Sequence, residues 1–193
     1  MRRIFVIALG NPGQLYALTR HNAGWIFADF LCEKLNIRLK PGKGEFYIGS
    51  KDKIFVVKPT TYMNNSGVAV RQVVEQHGVD DLQELLIVLD DTNLPLGRMR
   101  LRMKGSSGGH RGLESVIYHL GTHEFPRLRF GIGSPPQGVS MRDYVLSPFD
   151  DAELEKLKSL FDRAFDGIKL MLEDRFEEAM QLVNTAQQPA EGQ

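Results

Sequence analysis

The chain has 193 residues, 42% apolar and 25% charged, the composition of a globular protein long enough to bury its own core. Lys+Arg number 24 and Asp+Glu 24, and this balance excludes a uniformly basic nucleic-acid coat. The single cysteine, Cys32, excludes a disulfide framework and a cysteine zinc site, and no apolar run approaches the roughly 20 residues of a membrane span.

In chain order, the apolar run Ile4-Phe-Val-Ile-Ala-Leu9 reads as a buried strand stopped by Gly10-Asn-Pro-Gly13. The spacing of Trp25, Ile26, Phe30, Leu31 and Leu35 predicts an amphipathic helix over 22–35, with Cys32 as a buried thiol. Residues 46–48 and 54–57 are expected as paired strands around a Ser50-Lys-Asp52 turn, followed by a helix over 66–76 ended by Gly78. Residues 85–89 form another buried strand, stopping at Asp90-Asp91. Residues 98–104 alternate strictly between cation and apolar side chain, so a strand there sets Arg98, Arg100, Arg102 and Lys104 on one face. Gly105-Ser-Ser-Gly-Gly109 is a loop, 110–119 a helix, 127–132 a strand, and 150–174 the longest helix. Residues 186–193 read as a frayed tail behind one domain of residues 1–185.

Strands alternating with helices imply an α/β fold, a sandwich around one mixed sheet. The neutral total hides an asymmetry: residues 98–129 carry seven bases and only Glu114 and Glu124, whereas 150–178 carry ten acids and five bases. A localised anion-binding face on the basic segment is expected. Ile4 to Leu9 is too short for a signal-peptide core, so a cytoplasmic location is expected and the Asn64-Asn65-Ser66 sequon is discounted.

Sites in open α/β sheets collect beyond the carboxyl ends of strands. The first strand delivers Asn11, Tyr16, Arg20, His21 and Asn22 there, the strand pair delivers Lys58 to Asn64, and the next delivers Asp90 and Asp91. One histidine, one aspartate and several carboxamides converge without a serine or cysteine nucleophile, a set that suits hydrolysis by activated water. There is no P-loop and no dinucleotide fingerprint. Gly121 between His119 and His123, with no acid pair nearby, argues against a metal site there. The Gly105–Gly112 segment offers backbone amides to an anion or is simply a flexible connection.

Taken together, Gly10-Asn-Pro-Gly-(x)2-Tyr16-(x)2-Thr19-Arg-His-Asn-Ala-Gly24 resembles the opening signature of bacterial-type peptidyl-tRNA hydrolases. Pro59-Thr-Thr-Tyr-Met-Asn-Asn-Ser-Gly67, Asp90-Asp-Thr-Asn-Leu-Pro-Leu-Gly97 and Gly105-Ser-Ser-Gly-Gly-His-Arg-Gly-Leu113 resemble the family's next three motifs in the same order. Arg127-Leu-Arg-Phe-Gly-Ile-Gly133 resembles its last core strand, so the likeness runs from about residue 3 to 185.

The resemblance implies a three-layer sandwich with helices on both faces, and cleavage of the ester joining a peptide or N-blocked amino acid to tRNA. It assigns His21 as the base, Asp90 as the acid holding it in its basic form, and Asn11 as the residue discriminating blocked from free aminoacyl groups. Tyr16, Tyr62 and Asn64 match substrate contacts, and Arg102 and Arg129 match a clamp on the tRNA 5′-phosphate. Leu89 replaces a histidine often found before the aspartate, and Arg111 stands where the family usually has asparagine against the peptide backbone. The resemblance implies no cofactor, metal, membrane or obligate protein partner, and a monomer. Non-catalytic RNA-splicing relatives form the competing class, but His21, Asn11 and Asp90 are all present here. A small-molecule esterase would leave the basic strand unexplained.

Overall fold

The computed structural model describes residues 2–185; the reading of 186–193 as a frayed tail falls outside them. Seven strands form one sheet in the order β2-β3-β4-β1-β5-β7-β6. They are β1 (Ile4–Ala8), β2 (Lys40–Pro41), β3 (Phe46–Lys51), β4 (Ile54–Pro59), β5 (Leu85–Asp91), β6 (Met99–Arg102) and β7 (Arg127–Gly131). The centre, β4-β1-β5-β7, is parallel, and β3, β2 and β6 flank it antiparallel.

Every β1 side chain is buried, because both faces of the sheet are covered. Ile4, Val6 and Ala8 point to one core with α1 (Ala23–Leu35), α5 (Asp151–Lys158), α6 (Phe161–Leu172) and α7 (Phe176–Asn184). Phe5, Ile7 and Leu9 point to the other, with α2 (Ser66–His77) and α3 (Arg111–Leu120). The expected three-layer α/β sandwich is therefore the observed one.

Local differences have identifiable causes. The β3–β4 turn falls on Asp52 and Lys53, both at positive φ, one step beyond the expected Ser50–Asp52 turn. That geometry matches the twist of a two-residue hairpin. The single helix expected over 150–174 is two helices, α5 and α6. The Ser159 hydroxyl donates to the Lys156 carbonyl, and Leu160 N–H bonds back only three residues to Leu157. This tight turn lets Leu157, Leu160 and Phe161 all face the core. Helices α7 and α4 (Met141–Val145) were not anticipated from the sequence.

The alternating basic strand is shorter than expected, β6 covering only Met99–Arg102, but its polarity is as read. Met99 and Leu101 are buried and Arg98, Arg100, Arg102 and Lys104 exposed. On this edge strand, the Asn184 carboxamide accepts from Leu101 N–H and donates to Leu101 C=O, occupying part of the open edge.

Candidate active site

The carboxyl ends of β1, β4 and β5 open onto a cleft of about 950 Å³. Gly24, at the tip of α1, packs where a Cβ would lie 2.7 Å from Val88 O and 2.9 Å from Leu9 O. Only a glycine lets α1 start this close to β1 and β5, which carries His21 over the end of β5. There His21 Nδ1 lies 2.9 Å from both carboxylate oxygens of Asp90.

Asp90 Oδ1 also lies 2.9 Å from Nε2 of His110, the N-cap of α3. His110 Nδ1 accepts the Leu113 N–H at 3.1 Å, so its proton sits on Nε2 and is donated to Asp90. Asp90 is therefore a buried carboxylate with a donor on each side. Burial alone would raise its pKa, but the two histidines hold it well below the ordinary carboxylate range. For His21, burial works downward and the Asp90 charge and hydrogen bond upward, and the balance lies above the ordinary imidazole value. With Nδ1–H donated to Asp90, the His21 Nε2 lone pair is left as the ring's available acceptor.

The ring and carboxylate donor atoms of His21, Asp90 and His110 fall within 4.8 Å of one another. The two imidazoles are engaged with the one carboxylate, His110 donating its Nε2 proton to it.

Asn11, 6% exposed, is held as firmly. Asn22 brackets its backbone, Oδ1 accepting Asn11 N–H and Nδ2 donating to Asn11 C=O, both at 2.9 Å. Asn11 Oδ1 accepts the Met63 N–H at 2.8 Å, which commits the carbonyl end of the carboxamide to the protein and leaves the amide end as the free donor. One wall of the cleft is α4, tied to the His21 turn by Arg20. The Arg20 guanidinium holds both Glu153 carboxylate oxygens at 2.9 Å, the Ser147 hydroxyl at 2.6 Å and the Pro148 carbonyl at 2.8 Å. It also stacks over Tyr144 of α4 at 4.7 Å.

The chain as a whole is similar to known proteins along nearly all of its length. The model of the family described as peptidyl-tRNA hydrolase matches residues 5–191. The chain is 43% identical to a peptidyl-tRNA hydrolase of Kosmotoga olearia, over 93% of this chain and 96% of that one. It is 46% identical to that of Carboxydothermus hydrogenoformans, over 92% and 96%. The crystal structure of peptidyl-tRNA hydrolase from Acinetobacter baumannii superposes with a TM-score of 0.88 at 32% identity, covering 96% of each chain. The chain belongs to the peptidyl-tRNA hydrolase family.

Of the residues singled out by the resemblance to peptidyl-tRNA hydrolases, the fold brings Asn11, Tyr16, His21, Asn64, Asp90, Arg111 and Arg129 onto one cleft. Tyr62 stands at the rim, exposed, its ring meeting Tyr16 edge-on at 6.4 Å. Arg102 lies outside the cleft on β6, opposite Arg127, while Arg100 is the residue opposite Arg129. The Arg102–Arg129 pair is thus diagonal on one face of the sheet.

Arg127 departs from the sequence reading, which counted it with the phosphate-binding cations. It is fully buried, donating to the carbonyls of Phe125 at 2.9 Å and of Gly105 and His123 at 2.7 Å. Burial, with Arg129 nearby, pushes its pKa down to about 10. It ties the 105–106 loop to the start of β7 and has no donor face left for a ligand. Sequence reasoning also passed over His110, placing it at the start of the helix over 110–119 without giving it a part in the site. The signal was there: a histidine in place of the usual Ser, Thr, Asp or Asn at a helix start.

Proposed function

We propose that this chain hydrolyses the ester of peptidyl-tRNA with His21 as general base. The observation that carries the reading is the His21 Nδ1 to Asp90 contact of 2.9 Å on a buried carboxylate, which leaves Nε2 as the basic nitrogen at the cleft. In this reading Nε2 takes a proton from water, the hydroxide attacks the ester carbonyl, and the proton passes on to the departing ribose 3′-oxygen. Asp90 stabilises the imidazolium formed in between, and His110 keeps Asp90 ionised and in place. The Asn11 amide donates to the carbonyl oxygen as it gains charge, and its fixed position lets it sense a blocked α-nitrogen.

Tyr16, Tyr62 and Asn64 contact the aminoacyl end and the terminal nucleotide. Arg100, Arg102, Lys104 and Arg129 meet backbone phosphates, Arg102 and Arg129 gripping the 5′-phosphate. Arg111, exposed on the cleft with no hydrogen bond or ion pair among the described residues, reaches a peptide carbonyl or a 3′-end phosphate where a family asparagine would both donate and accept. The chain works as one domain over residues 1–185, as a cytoplasmic monomer; among the described residues no helix is long and apolar enough to cross a membrane. The deciding experiment incubates the pure protein with N-acetylated and unmodified aminoacyl-tRNA. Rapid release from the first and little from the second is the expected result, and no release from the first would defeat the proposal.

A further inference from the structure

Among the described residues, exposed large apolar side chains gather at the cleft. Met141 lines it, Val139 precedes its Ser140, Tyr62 meets Tyr16, and Leu15 and Leu18 lie on the adjoining turn at 84% and 50% exposure. Only Tyr47 and Tyr118 of this class lie elsewhere, on β3 and α3. A second depression of about 800 Å³ runs between Leu15, Leu18, Leu146 and Pro148, and shares Tyr16 and Leu146 with the catalytic cleft. The two therefore adjoin, with Tyr16 and Leu146 forming a common wall.

Their charges differ. The catalytic cleft has Arg111, Arg129 and Arg142 on its walls, whereas among the described residues no charged side chain lines the groove. The guanidinium of Arg20, bonded to the carbonyl of the lining residue Pro148, is already taken by Glu153, Ser147 and Pro148. A peptidyl-tRNA is polyanionic on one side of its ester and a peptide of any sequence on the other. A cationic wall suits the first half. A groove of exposed leucines suits the second, because flexible aliphatic side chains accommodate varied apolar partners.

We propose that the Leu15–Leu18–Leu146–Pro148 groove is the subsite that takes apolar side chains of the peptide moiety; this rests on the hydrolase reading above. The test uses one tRNA and one esterified amino acid carrying an acetyl, an acetyl-triseryl or an acetyl-trileucyl group. The wild type should show a KM about tenfold lower for the trileucyl substrate than for the other two, the ratio supplied by burying roughly one leucine side chain. Leu15→Asn and Leu18→Asn should erase that advantage and leave kcat and KM for the acetyl substrate unchanged. Leu15 is exposed enough for its replacement to spare the fold, and neutral asparagine adds no charge to repel tRNA.

Lack of a trileucyl advantage in the wild type, or its persistence in both variants, would overturn the proposal while hydrolysis of the acetyl substrate stands. So would an equal rise in KM for all three substrates, which would give the groove to the 3′ end of tRNA. Failure of the wild type to cleave the acetyl substrate would remove the hydrolase reading, and this one with it.

Discussion

Asp90 and His110 meet side chain to side chain at 2.9 Å, while the other nitrogen of the same ring caps α3 through Leu113 N–H. One imidazole thus fixes the helix start and the carboxylate together. Replacing it by alanine leaves a helix start uncapped and removes a donor from a buried charge, so His110→Ala should lose about 2–4 kcal/mol of stability. With less of its charge neutralised, Asp90 holds the His21 proton more tightly. The acid limb of the pH–rate profile should move to higher pH, and an unchanged limb would show that His110 serves the fold alone.

The pH dependence follows from His21. A general base works only when neutral, and the His21 pKa lies above the ordinary 6.5, so kcat/KM should fall as pH drops through a value above 6.5. In Asp90→Asn the upward influence is gone and burial remains, so the limb should shift below 6.5 while the plateau rate drops. His21→Ala should cost on the order of 10²–10⁴ in kcat with tRNA binding intact. Near-normal turnover by that variant would mean the base is another group.

Asn11→Asp keeps the acceptor for Met63 N–H and replaces the free amide donor with a negative charge. Loss of one donor to a developing oxyanion typically costs about 10²–10³ in kcat. Measured on N-acetylated and unmodified aminoacyl-tRNA, the ratio of the two rates should change as well. A constant ratio would place discrimination elsewhere on the cleft.

Arg102 is exposed on the edge strand and makes no ion pair among the described residues, so Arg102→Ala should leave the fold alone. KM for full-length substrate should rise, and the slope of log KM against log salt should flatten by about 0.7–0.9 for one lost phosphate contact. A minimal aminoacyl-nucleoside substrate should be unaffected. Arg111→Asn, by contrast, should change KM by about two- to tenfold and leave kcat nearly as it is.

Much of this was legible because the information is local. Hydrophobic runs of five or six residues marked β1 and β5, Gly78 marked the end of α2, and the strict alternation of 98–104 marked the cationic face of β6. The break at Ser159 was not legible, since the apolar spacing of 150–174 suits one helix as well as two. It depends on how far α5 can run before Leu160 and Phe161 must turn into the core. Arg127 and Arg129 are two residues apart in one strand and look alike in sequence. Tertiary packing buries the first under the 105–106 and 123–125 carbonyls and leaves the second at the cleft.

The sequence by itself determined which residue types meet at the carboxyl end of the sheet, because the position of each strand and motif along the chain follows from short-range pattern. Only the tertiary structure decided their partners: His110 rather than solvent on Asp90, Met63 N–H on Asn11, and Arg20 drawing α4 against the His21 turn. Such bonds join residues 20, 52 and more than 120 positions apart. Their geometry is fixed by the packing of whole layers, a constraint that no local stretch of chain encodes.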